Sequence, residues 1–169
     1  MNNCPERYLK QVMDIFSQTA LEICEGQQWD MEFETRNDVT VPEYMEMIRL
    51  KTSVLLSAAL KIGAVLGGAS EDDARKLYDF GIKMGLAFQL QDDYLDVYGD
   101  SKVFGKNIGG DILCNKKTFM LINALALADG IQRKELEKWI ASTAFCPEEK
   151  IKAVTALYDK IGIGGICEE

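Results

Sequence analysis

The 169-residue chain has no histidine, only three prolines and five scattered cysteines, and it carries fewer basic residues (19) than acidic ones (27). Each shortage closes a class of function. Without histidine the commonest general base is gone, and with it every His-containing catalytic triad. Cys4, Cys24, Cys114, Cys146 and Cys167 form an odd set with no C-x-x-C pair, which suits a reducing compartment without zinc. A net charge of −8 and no basic stretch of any length exclude nucleic acid as a partner, because phosphate backbones are bound by clustered Lys and Arg. A phosphate-bearing small molecule would have to be met by metal. No apolar run approaches the ~18 residues of a transmembrane helix. The first residues lack the basic, apolar and small-residue succession of a signal peptide. The expectation is a soluble cytoplasmic protein that does not span a membrane. With 47% hydrophobic and 27% charged residues the composition is that of a globular chain, long enough for one domain with a sizeable core.

What is present reads as helix after helix. Tyr8, Leu9, Val12, Ile15, Phe16, Thr19, Ala20 and Ile23 follow the i, i+3, i+4, i+7 pattern of an amphipathic helix opened by Pro5. Gly26 either caps that helix before a polar loop or lets it continue, with Gln27 and Asp30 one turn apart; spacing alone favours the cap. Arg36-Asn37-Asp38 is the first clear break. A second helix is expected from Thr40 or Val41 to about Leu66, with Pro42 in its first turn and an almost wholly apolar second half. Lys51 and Thr52 stand where that buried half begins, so the Lys51 ammonium either snorkels outward or meets an anion. Gly67-Gly68-Ala69 ends the helix, and Ser70 with Glu71-Asp72-Asp73 caps the next, which leaves this Asp-Asp pair no ligand role. Further helices are expected over 118–128, 132–141 and 147–161.

The helix expected over 71–98 carries the chemistry. At about 100° per residue, Gln89, Asp92, Asp93 and Asp96 share one stripe at i, i+3, i+4 and i+7. Like charges at that spacing repel, and near a helix C-terminus the macrodipole disfavours them further. The stripe is either a solvated acidic turn or a place for a divalent cation, and oxygen ligands suit Mg²⁺. Gly81 and Gly85 lie on nearly the same face as Gln89, so either a neighbouring helix or a ligand chain approaches there closely. Residues 99–111 form a glycine-rich polar loop carrying Lys106, followed by Asp111, Lys116 and Lys117. It is no Walker loop: five residues rather than four separate Gly99 from Gly105, and no strand precedes it.

Phe88-Gln89-Leu90-Gln91-Asp92-Asp93-Tyr94-Leu95-Asp96, followed by Gly99-Asp100, Gly105-Lys106 and Asp111, resembles the second aspartate-rich region of the trans-isoprenyl (polyprenyl) diphosphate synthases. That family includes the farnesyl and geranylgeranyl diphosphate synthases. Gly26-Gln27 with Asp30, Lys51-Thr52 and Asn115-Lys116 match further family motifs in the same order. The resemblance implies an all-α fold, a helical bundle around a central cavity, with Mg²⁺ between two facing aspartate-rich helices. It implies Asp92 as principal metal ligand, Asp93 and Asp96 beside it, and Lys51, Lys106 and Lys116 at the diphosphate. Thr52 and Gln89 would line the region where an allylic cation forms, and Lys116 and Asp111 would border the metals. The implied reaction is head-to-tail condensation of isopentenyl diphosphate with an allylic diphosphate. Preorganised Mg²⁺ and ammonium groups stabilise the leaving diphosphate, which needs no histidine.

Three family features have no counterpart here: the first Asp-Asp-x-x-Asp motif, the arginine pair and the glycine-lysine site for isopentenyl diphosphate. Residues 1–169 are therefore expected to form a single helical domain, an interior-to-C-terminal piece of a synthase lacking N-terminal helices and its last helices. Catalysis by such a piece alone is not expected. The alternative is a non-catalytic helical module that dimerises or serves as a scaffold, and the apolar segments at 53–66 and 118–128 favour a homodimer in either case. A terpene cyclase shares the aspartate chemistry but fits the Lys51-Thr52 and Gly105-Lys106 signals less well.

Overall fold

Helix α4, Glu71–Tyr98, runs for 28 residues without a break and carries the whole carboxylate stripe. The computed structural model describes residues 4–100 and 108–168. Its other elements are α1 (Glu6–Thr35), α2 (Val41–Ile48), a π-helical turn π1 (Arg49–Ser53), α3 (Val54–Leu66), α5 (Gly110–Leu113), α6 (Phe119–Leu127), α7 (Gly130–Ala141), α8 (Pro147–Ile161) and α9 (Ile163–Glu168). Among the described residues there is no strand, so the all-α expectation holds. The chain divides into two units: Met1–Glu32 with Met45–Gln89, and Phe33–Tyr44 with Leu90–Glu169.

In the first unit α1 does not stop at Gly26, contrary to the favoured sequence reading. A Cβ at Gly26 would stand 2.4 Å from the Lys51 nitrogen and 2.8 Å from the Leu50 Cβ. The glycine is there to let the π1 backbone approach, which costs helix propensity but ends nothing. The expected second helix is interrupted in its middle by π1, where the Val54 N–H reaches back five residues to the Arg49 carbonyl. Such single π turns often mark functional positions, and this one carries Lys51 and Thr52.

Gly81 of α4 faces Ser57 of α3, and Gly85 faces Ser53 at the end of π1. A Cβ on either would fall 2.6 Å from the Cα of Ser57 or of Ser53, respectively. A packed helix, with no ligand chain in between, fills the space at these two positions. Ser70 caps α4, its hydroxyl accepting from the Asp73 N–H at 3.1 Å. Asp72 pairs with Lys76 and Arg75, each at 2.6 Å, so the second Asp-Asp pair is spent on helix ends and surface charge.

In the second unit Arg36 and Thr40 set the start of α2. Thr40 and Glu43 exchange hydrogen bonds as a capping box, and Arg36 pairs with Glu43 at 2.8 Å. A core of Val97, Ile112, Met120, Ala124, Leu136, Val154, Leu157, Tyr158 and Ile163 joins the end of α4 to α5, α6, α7, α8 and α9. Thr118 caps α6, and Asp129 with Gln132 forms a capping box on α7. Asp129-Gly130 thus opens α7, two residues before the start expected at 132. Gly162, at φ +86°, closes α8 and lets α9 follow, beyond the last helix expected from the sequence.

Candidate functional site

The functional side chains fall into two groups, one in each unit. In the first, π1 holds Lys51 with its ammonium 2.6 Å from the Asp30 carboxylate, both side chains partly exposed. The lysine therefore meets an anion. Asp30 reaches it because α1 continues through Gly26 to Thr35. The neighbouring Thr52 hydroxyl donates to the Gln89 side-chain amide oxygen Oε1 at 3.4 Å. Four residues from three separate stretches of sequence are thus brought into two contacting pairs.

In the second unit the stripe on α4 splits by exposure. Asp92 is exposed, whereas Asp93 is only 2% exposed and accepts a hydrogen bond from the fully buried Tyr44 hydroxyl. Asp96 is used twice: its carbonyl accepts from the Gly109 N–H at 2.6 Å, and its carboxylate from the Asp111 N–H at 3.0 Å. Asp111 in turn lies 3.4 Å from the Lys116 ammonium. Burial raises the Asp111 carboxyl above the usual carboxylate range. Lys116 opposes that shift, while the charges of Asp96 and Asp92 add to it. Lys106 lies outside the described residues. A cavity of ≈ 20 Å³, room for about one water, sits beside this cluster, with Asp93, Asp111, Asn115, Lys116, Thr118 and Lys150 in its lining.

Two contributors had no signal in the sequence reading. Tyr44 lies 49 positions before its partner Asp93, in a helix whose pattern says only that it is amphipathic. Lys150 belongs to the first turn of a helix far along the chain. Removing the Tyr44 hydroxyl leaves a buried carboxylate short of a donor, a loss worth about 1–3 kcal/mol. Tyr44→Phe is expected to lower the midpoint of thermal unfolding by roughly 3–10 °C; an unchanged midpoint by calorimetry would show that the pair does no structural work.

The donor set suits a hard divalent cation in one particular way. Among the described residues no three carboxylate, cysteine or histidine side chains converge as a ready-made metal cage. Mg²⁺ rarely uses such a cage, being held by one or two carboxylates with substrate phosphates and waters completing the shell. The exposed Asp92 and the mutually repelling Asp96 and Asp111 fit that mode. Among the described residues no helix is long and apolar enough to cross a membrane.

Comparison with known proteins agrees with the motif reading. Residues 1–158 match the family Polyprenyl synthetase. The geranylgeranyl diphosphate synthase of Methanosarcina mazei is 51% identical over 124 residues, which cover 73% of this chain and 38% of that protein. The crystal structure of a geranylgeranyl pyrophosphate synthase superposes with a TM-score of 0.89 at 44% identity, covering 96% of this chain and 51% of the other. A polyprenyl synthase from Caulobacter crescentus, solved in complex with calcium and isoprenyl diphosphate, gives a TM-score of 0.85 at 29% identity over 93% of this chain and 48% of its own. The chain spans about half the length, or less, of these relatives. With its motifs in family order and nearly its whole length matched, the chain belongs to the polyprenyl synthetase family, the trans-isoprenyl diphosphate synthases.

Proposed function

We propose that this chain carries the second aspartate-rich half-site of a Mg²⁺-dependent prenyltransferase, which condenses isopentenyl diphosphate with an allylic diphosphate. The observation that carries the proposal is the convergence of Asp96, Asp111 and Lys116, three separate sequence motifs, through contacts of 3.0 and 3.4 Å. Asp92 is the principal metal ligand, and Asp96 and Asp111 support it. Asp93 is held inward by Tyr44 and fixes the helix end from which Asp92 projects. Bound Mg²⁺ would supply positive charge to a leaving diphosphate. Lys116, Lys51 and Lys106 supply ammonium groups to the same end, Lys51 oriented by Asp30. Thr52 and Gln89, hydrogen-bonded to each other, line the region where allylic cation character develops. That the Caulobacter crescentus relative was solved with calcium and isoprenyl diphosphate supports a divalent cation and a prenyl diphosphate as the ligands.

The proposal also assigns the chain an incomplete role, because the first aspartate-rich motif and the isopentenyl diphosphate site are missing from its sequence. Incubation of the purified 169-residue chain with dimethylallyl and isopentenyl diphosphates and Mg²⁺ is expected to give no prenyl product. Turnover above the no-enzyme control would overturn the half-site assignment. Exposed Phe16 and Leu21 on α1, and Phe80 and Phe88 on α4, favour association, and a homodimer is the proposed state. Sedimentation of a concentration-independent monomer would contradict it.

A further inference from the structure

Asn115 is the only non-glycine residue among those described with positive φ, at 53°. Asparagine tolerates that left-handed conformation better than most residues, and here its side chain is also held at both ends. Its Nδ2 donates to the Ile140 carbonyl at 3.1 Å, and its Oδ1 accepts from the Lys150 ammonium at 2.7 Å. The same ammonium lies 3.4 Å from the Leu113 carbonyl and 4.2 Å from the centroid of the Phe145 ring. Lys150 is 1% exposed, and all of these partners are neutral. Its neighbours on the buried face of α8, Val154, Leu157 and Tyr158, are core residues. A buried ammonium is poor packing material, and an apolar side chain of similar volume commonly serves a fold at least as well. The charge therefore calls for a task other than packing.

The task lies in the next residue along. Asn115 turns the chain so that the Lys116 N–H donates to the Asp111 carbonyl at 3.0 Å, with the Lys116 ammonium 3.4 Å from the Asp111 carboxylate. We propose that Lys150 is a positioning residue: it locks Asn115 in the left-handed turn and thereby sets the Lys116 ammonium beside Asp111, where diphosphate is to be met. The part concerning diphosphate rests on the half-site reading above; the part concerning geometry does not.

The test uses the full chain, uniformly labelled with ¹⁵N, and reads lysine ammonium resonances by NMR together with Mg²⁺-dependent binding of inorganic pyrophosphate by calorimetry. Lys150→Met is expected to move the Lys116 resonance toward that of a solvent-exposed lysine and to weaken pyrophosphate about tenfold. The double variant Asn115→Gly/Lys150→Met is expected to restore both, because glycine adopts positive φ without the steric cost that the anchored Asn115 side chain offsets. A folded Lys150→Met with an unmoved Lys116 resonance overturns the proposal, as does a folded double variant in which Lys116 remains displaced. Should Lys150→Met alone fail to fold, the double variant, which also removes the amide left without its donor, decides by the same resonance. Wild type that binds no pyrophosphate would sink the half-site reading, while the resonances would still judge the positioning role.

Discussion

Asp92→Asn is expected to weaken Mg²⁺-dependent binding of a non-hydrolysable allylic diphosphate analogue by about a hundredfold or more, while leaving the fold intact. Changes to groups that merely support metal ligands typically cost 10- to 100-fold, roughly, and loss of a ligand itself should do no less. Asp92 is exposed, so the substitution should leave the packing of the core untouched. The matching change at Asp93 should show the reverse pattern, with stability lost first, since that carboxylate is buried against Tyr44. Equal loss of binding in Asp92→Asn and in an exposed control such as Asp14→Asn would show that only net charge is being read.

Gly26→Ala is expected to destabilise the chain, although alanine is the better helix former by about 1 kcal/mol. The added methyl would meet the Lys51 nitrogen at 2.4 Å and the Leu50 carbonyl carbon at 2.9 Å, backbone atoms that cannot rotate aside. Overpacking of this kind costs roughly 1–3 kcal/mol, occasionally more, so the clash outweighs the propensity gain. A net loss of up to about 2 kcal/mol corresponds to a midpoint lower by up to roughly 8 °C for a chain of this size. Because the displaced backbone is π1, the Lys51–Asp30 pair should loosen as well. Gly63→Ala supplies the contrast: it lies inside α3 with nothing within 4 Å of its Cβ position, and should stabilise by up to about 1 kcal/mol. If both substitutions raise the midpoint, close approach at Gly26 is not what keeps glycine there.

The two glycines also show where sequence reasoning stops. Local chemistry was legible: Ser70, Pro147 and the break at Arg36 set helix ends within a residue or two, and α4 runs over the span expected from its pattern. At Gly26 the same local logic chose a cap, because a glycine that ends a helix and a glycine that admits a neighbouring backbone look alike in sequence. What distinguishes them is a segment some 25 residues away. The π turn was illegible for a related reason, since one extra residue in a helical turn leaves the apolar pattern on either side nearly intact. Of the site, the residue types and their order were legible and the pairings were not. Lys51 finding Asp30, Asp93 turning in to Tyr44, and Lys150 reaching Asn115 are long-range contacts with no periodic signature.

The central claim is that the chain presents a metal and diphosphate half-site. Its most direct test is calorimetric titration of the wild-type chain with a non-hydrolysable allylic diphosphate analogue, with and without Mg²⁺. Saturable binding that appears only with Mg²⁺ is the expected result. No binding in either condition by a chain shown by circular dichroism to be folded and helical would contradict the claim, and would favour the reading of the chain as a scaffold.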